Sequence, residues 1–146
     1  MTALFEHSPW VEQRADARLS TGDRHADLMS VMYEATPEEQ LALIRAHPEL
    51  AGKAAIDKTL TDASAAEQAS AGLDRLTEVE FAQFHRLNAA YRDMFGFPFI
   101  ICVRLTDKAG ILTAMERRLS NDRETEIHTA LEQIGEIVRL RLEDMR

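Results

Sequence analysis

The sequence predicts a helical domain with one buried extended segment, and three observations carry that expectation. Two T-x-x-E capping boxes, Thr36 to Glu39 and Thr77 to Glu80, precede apolar residues at helical spacing. Toward the C-terminus, Ile127, Leu131, Ile134, Val138, Leu142 and Met145 form one stripe at about 100° per residue. A single stretch, Gly96 to Arg104, has the β-branched and aromatic composition of a buried strand, and no second stretch of that quality exists to pair with it. The chain has 146 residues, which suits one domain with a real core. With no repeat, low-complexity tract or linker, residues 1–146 are expected to form a single domain.

Taken in order, Ser8 as cap and Pro9 at the first helical position start a helix expected to reach about Leu19, with Trp10 as a core anchor. Thr21-Gly22-Asp23 breaks the chain. A second helix, about His25 to Glu34, puts Leu28, Val31 and Met32 on one side. The third, Pro37 to Ala46, begins at the Thr36 box and pairs Leu41 with Ile44. Pro48 biases His47 away from the helical region, so His47 stands at a helix end. Leu50 to Leu60 is ambiguous, because Ala51-Gly52-Lys53 can form a turn. The full phosphate-loop pattern is absent around that Gly-Lys pair, and a phosphate loop is rejected. Thr61 to Leu73 reads as a helix capped by Thr61 or Ser64. The Thr77 box opens a long helix to about Phe95, with Phe81, Phe84, Leu87, Tyr91 and Met94 as its stripe. Asn88 beside that stripe is expected to satisfy a buried backbone group. The buried segment 96–104 needs partners for its backbone groups, and a ligand could supply them. Asp107 caps a helix to about Leu119, and Asn121 or Ser120 caps the last one.

The totals exclude several classes. The formal net charge of −8 argues against nucleic acid or anionic membrane as partner. No apolar run approaches the ~20 residues that span a bilayer. The single cysteine, Cys102, precludes an intrachain disulfide and a C-x-x-C metal site, and fits a reducing compartment. Met1 to His7 lacks the features of a secretory signal, and the last residues are not an S-K-L address. Cytoplasmic location is the expectation, with a small molecule as partner. The oligomeric state stays open, a homodimer included.

Three places can carry chemistry, each with a bland alternative. His47 is either a titrating catalytic group or an imidazole compensating a helix C-terminus. Ser64, Glu67 and Gln68 either project from one helix face among alanines, or Ser64 and Glu67 form one more capping box. Arg141 falls inside the apolar stripe of the last helix, whereas Arg139 falls outside it. A buried guanidinium needs a partner, and three outcomes stand: an internal carboxylate such as Glu67, an anionic ligand, or a side chain that snorkels out.

His47-Pro48-Glu49-Leu50-Ala51-Gly52, Ser64-x-x-Glu67-Gln68, Ala71-Gly72-Leu73, Leu87-Asn88-x-x-Tyr91 and Phe95-Gly96-Phe97-Pro98-Phe99-Ile100 follow one another in this order. Together they resemble the 2-oxo-4-hydroxy-4-carboxy-5-ureidoimidazoline (OHCU) decarboxylase family, from about Ser8 to Arg141. The resemblance implies an all-α fold, no metal or organic cofactor, and formation of (S)-allantoin and CO2 in urate degradation. It also implies a further helix ahead of Ser8, where this chain has seven residues. By the same resemblance His47 and Glu67 are catalytic, and Pro48, Ser64, Gln68, Phe99, Ile100, Ile101, Cys102, Val103 and Arg141 bind substrate.

That chemistry suits these residue types. Loss of CO2 from a ring carbon leaves negative charge delocalised as an enolate. Backbone N–H groups of Ile100 to Val103 could stabilise it. His47 could deliver the proton, a role typically worth ~10²–10⁴-fold, and Glu67 could orient His47 or hold ureido N–H groups. Arg141 could clamp the carboxylate or a ring carbonyl. Two other readings remain: a helical interaction module without activity, and a metal-dependent hydrolase using His25, His47 and His85, for which no ligand spacing exists.

Overall fold

In the computed structural model, which describes residues 4–5, 7–51 and 62–145, chemistry local to the chain sets most helix starts. The described residues contain seven α-helices and no strand: α1 (Trp10–Asp16), α2 (Arg24–Glu34), α3 (Pro37–Arg45), α4 (Asp62–Ser70), α5 (Glu78–Phe95), α6 (Lys108–Arg118) and α7 (Arg123–Asp144). A 3-10 turn spans Val103–Leu105. Both T-x-x-E boxes form as their motifs predict. Thr36 Oγ accepts from the Glu39 N–H at 3.1 Å while Glu39 accepts from the Thr36 N–H at 3.1 Å, and Thr77 with Glu80 repeats the pattern. Asp23 caps α2 and Asp107 caps α6.

Several boundaries differ from expectation. Helix α1 stops at Asp16, not near Leu19. Beyond it, Ser20 and Thr21 bond the Asp27 carboxylate, a side-chain alternative to further helix. Ser8 does not cap α1; it is buried, and Pro9 takes that place without a side-chain bond. Helix α7 is capped by Asp122, which accepts from the Thr125 N–H at 2.7 Å. Asn121 is engaged instead with Glu126 at 2.8 Å. Helix α4 ends at Ser70, short of Leu73. The alternative cap Thr61, and Gly52 and Lys53 of the ambiguous turn, lie outside the described residues.

The α5 stripe rotates out of its expected line. Phe84, Leu87 and Tyr91 are buried, but Phe81 and Met94 face solvent. Phe95, four residues after Tyr91, takes the inner position that Met94, three after it, was expected to hold. Gly96 follows at φ 81°, a left-handed cap that glycine adopts without a Cβ clash.

Between Gly96 and the 3-10 turn, residues 97–102 form neither helix nor ladder. Phe97, Phe99, Ile100 and Cys102 are buried, Pro98 and Ile101 are partly so, and Gly96 and Arg104 at the two ends of the expected segment are exposed. Side chains from helices supply partners. Arg45 Nε donates to the Gly96 carbonyl at 3.1 Å and Arg123 Nε to the Phe95 carbonyl at 3.1 Å. Arg118 Nη1 donates to the Ile100 carbonyl at 2.7 Å, and the Cys102 N–H donates to Gln133 Oε1 at 2.8 Å. The rings of Phe97 and Phe99 close edge-on against Tyr91, an arrangement worth ~0.5–1.5 kcal/mol per pair beyond burial. Helix α7 packs on α2 and α3, and α5 packs on α6. The 3-10 turn lies against α4, so the extended segment and α4 become two walls of one cleft.

Candidate active site

His47 follows α3 after the single cap residue Ala46. Its N–H donates to the Ile44 carbonyl at 3.2 Å, and Pro48 turns the chain away. The loop that follows is pinned from three sides. Glu49 pairs with Arg92, the Leu50 carbonyl accepts from Asn88 Nδ2 at 2.8 Å, and the Ala51 N–H donates to Gln68 Oε1 at 3.1 Å. Asn88 therefore does satisfy a buried backbone group. Ala51 sits at φ 53°, a conformation that costs a non-glycine residue energy and needs such anchoring.

Across from His47, Ser64 and Gln68 are buried on the inner face of α4, and Glu67 is partly so. Ser64 lies inside the helix, not at its start, so Ser64 and Glu67 share a helix face and do not form a capping box.

Arg141 is 4% exposed, which rules out the snorkelling outcome. Its Nε and Nη2 donate to the two oxygens of Glu67 at 2.8 and 2.7 Å, a bidentate fork. Nη1 reaches the Leu4 carbonyl at 3.3 Å. The internal carboxylate is thus one partner of Arg141 in this structure, and two arms of the guanidinium reach it. Arg139, half-buried, pairs with Glu136 and Glu143 outside the core.

All eleven residues expected at the site line one cleft of about 480 Å3, counting space open to solvent: His47, Pro48, Ser64, Glu67, Gln68, Phe99, Ile100, Ile101, Cys102, Val103 and Arg141. Leu50, Arg104 and Ile137 line it too and were not anticipated. Ile137 lies one helical turn before Arg141, a spacing that could have flagged it. One expectation needs correction. The Cys102 N–H is taken by Gln133 and is not an oxyanion donor. Burial pushes the Cys102 thiol upward, so it lines the cleft as a neutral group.

The site is a small, mainly apolar cleft with a few polar groups converging on it. It offers an imidazole, an oriented carboxylate, an amide and a hydroxyl against an aromatic and aliphatic wall. The other two histidines of the metal reading are used differently: His25 Nε2 bonds the Gly135 carbonyl at 3.0 Å, and His85 stacks on Phe81. Among the described residues no group of three or more His, Cys, Asp or Glu could hold a metal. No described helix is long and apolar enough to cross a membrane.

A family profile described as OHCU decarboxylase matches residues 1–143. An OHCU decarboxylase of Haloferax volcanii is 42% identical over 142 residues, covering 95% of this chain and 82% of that protein. Among solved structures, a crystal structure of (S)-allantoin synthase aligns with TM-score 0.70 and 30% identity over 97% of this chain and 46% of that one. A crystal structure of OHCU decarboxylase in the presence of (S)-allantoin aligns with TM-score 0.74 and 19% identity, over 97% of this chain and 93% of that one. The last likeness concerns the fold alone.

Proposed function

We propose, from the premise that this chain belongs to the OHCU decarboxylase family, that the cleft between α4, α7 and segment 99–103 is where it performs the family's reaction. The chain is a carboxy-lyase of urate degradation, acting on 2-oxo-4-hydroxy-4-carboxy-5-ureidoimidazoline. The substrate carries hydroxyl and carboxyl groups on ring carbon 4 and the ureido group on carbon 5. The bond from carbon 4 to the carboxylate breaks, and CO2 leaves. The electron pair forms a C4=C5 bond and displaces the C5=N pair onto the ring nitrogen, which takes up a proton. The resulting enol gives up its 4-hydroxyl proton as carbon 4 becomes a carbonyl, and a proton added at carbon 5 sets the (S) centre of allantoin.

His47 delivers that proton, since it borders the cleft on a backbone held at both ends. Glu67 is aimed by Arg141 and accepts N–H groups of the ring or ureido arm. Arg141 thus acts first through Glu67, ahead of the expected clamp on the substrate carboxylate or a ring carbonyl. Ser64 and Gln68 add mixed donors and acceptors. Phe99, Ile100, Ile101 and Val103 form the wall against which the planar ring lies, with Pro48 and Cys102 filling its ends. On this reading residues 1–146 work as one domain in the cytoplasm. The reaction draws on no metal or organic cofactor, and neither nucleic acid nor membrane is a partner.

The observation that carries this reading is the convergence of all eleven residues on one cleft. Thermal unfolding with and without (S)-allantoin tests it. A site ligand at about 100 times its Kd should stabilise the fold by about 2.7 kcal/mol, and (R)-allantoin by less. No shift with either enantiomer would leave the chain an interaction module and contradict the proposal.

A further inference from the structure

We propose that Arg118 and Gln133 are positioning residues, which hold the Phe99 to Val103 wall from behind and so set where it meets the substrate. The proposal rests on the reading that this wall binds substrate. An extended segment without a neighbouring strand has no ladder to fix its place. Here two helices substitute for one. From α6, Arg118 grips the segment by the Ile100 carbonyl at 2.7 Å, and from α7, Gln133 grips it by the Cys102 N–H at 2.8 Å. The Arg118 guanidinium also lies 4.3 Å from the Phe99 ring centroid, a cation–π contact. Neither residue lines the cleft.

Arg118 is itself anchored. It is 5% exposed, and its Nε donates to Glu126 Oε1 at 2.7 Å. Glu126 is fully buried and also accepts from the Tyr91 hydroxyl at 2.5 Å and from Asn121 at 2.8 Å. Burial pushes the Tyr91 hydroxyl upward, with the Glu126 bond adding to the shift, so it stays a donor. A buried ion pair is often no more stabilising than apolar residues of similar volume. Stability alone is therefore a weak account of these charges, whereas a planar donor at a fixed angle to Ile100 needs all of them.

The test is steady-state decarboxylation by the parent chain, Arg118→Lys and Gln133→Ala, with rates referred to the folded fraction from near-UV circular dichroism. Lysine keeps the charge beside Glu126 but lacks the fork that also reaches Ile100. Gln133 is only partly buried, so Gln133→Ala decides the matter even if Arg118→Lys does not fold. A displaced wall should lower kcat by roughly 10- to 100-fold with a smaller change in KM. A purely structural role would lower the melting temperature while leaving kcat per folded molecule at the parent value. Parent-like kcat in either variant overturns that residue's role. A parent chain that forms no (S)-allantoin would instead overturn the functional reading beneath the proposal.

Discussion

Arg141 shows at the residue scale what helix phase can and cannot reveal. Its inward direction followed from counting residues along α7. Its partner did not, because Glu67 lies 74 residues away, and the sequence offered it only as one of three outcomes. The fork now supports a sharper expectation. Arg141→Lys keeps the charge but loses the bidentate geometry to Glu67, and charge-assisted bonds are worth ~1.5–3 kcal/mol each. Denaturant unfolding of Arg141→Lys should show a loss of about that size, together with weaker binding of (S)-allantoin. Arg139→Lys, whose partners are solvent-accessible, should stay within ~0.5 kcal/mol of the parent and bind normally. Equal losses in the two variants would mean that the Glu67 fork does not hold the site.

At the scale of elements, α3 matters because His47 stands two residues past its end. Glu39 serves it twice, closing the Thr36 box and bonding Arg14 at the end of α1. The Arg14 bond, followed by the Thr36 N–H, holds the Glu39 carboxyl down to about 2. A carboxyl depressed in the folded state stabilises fully above its unfolded value, here 4.5, and the benefit fades as pH falls through the folded value. Glu39→Gln should therefore melt below the parent at pH 7, and the gap should close between about pH 4.5 and pH 2. A gap that persists at pH 2 would assign the effect to packing. Such boxes were legible in sequence because their partners are three residues apart. Other boundaries were not. Phe95 displaced Met94 because the long α5 helix must also meet Phe97 and Phe99, which pack around Tyr91. Asn121 lost the cap of α7 to Asp122 because buried Glu126 engages it.

Across the whole molecule, the site is an assembly of distant segments, and that decides which parts of it were readable. The His47, Ser64-x-x-Glu67-Gln68 and Phe99 to Val103 motifs were readable as walls through the family resemblance, since residue type and spacing alone left His47 and the Ser64 face an ordinary structural alternative. Arg118, Glu126 and Gln133 announce nothing, since each resembles an ordinary helix-surface residue until a third segment packs over it. The central claim is that His47 delivers a proton to one face of the decarboxylated ring. The direct measurement is circular dichroism at the allantoin band after mixing freshly made substrate with the parent chain or His47→Ala, with a metal chelator present throughout. The account predicts rapid optically active (S)-allantoin from the parent and, from a folded His47→Ala, turnover lower by ~10²-fold or more. Near-parent formation of (S)-allantoin by His47→Ala would contradict it, as would a parent chain whose chelated sample yields only the slow, racemic product of spontaneous decay.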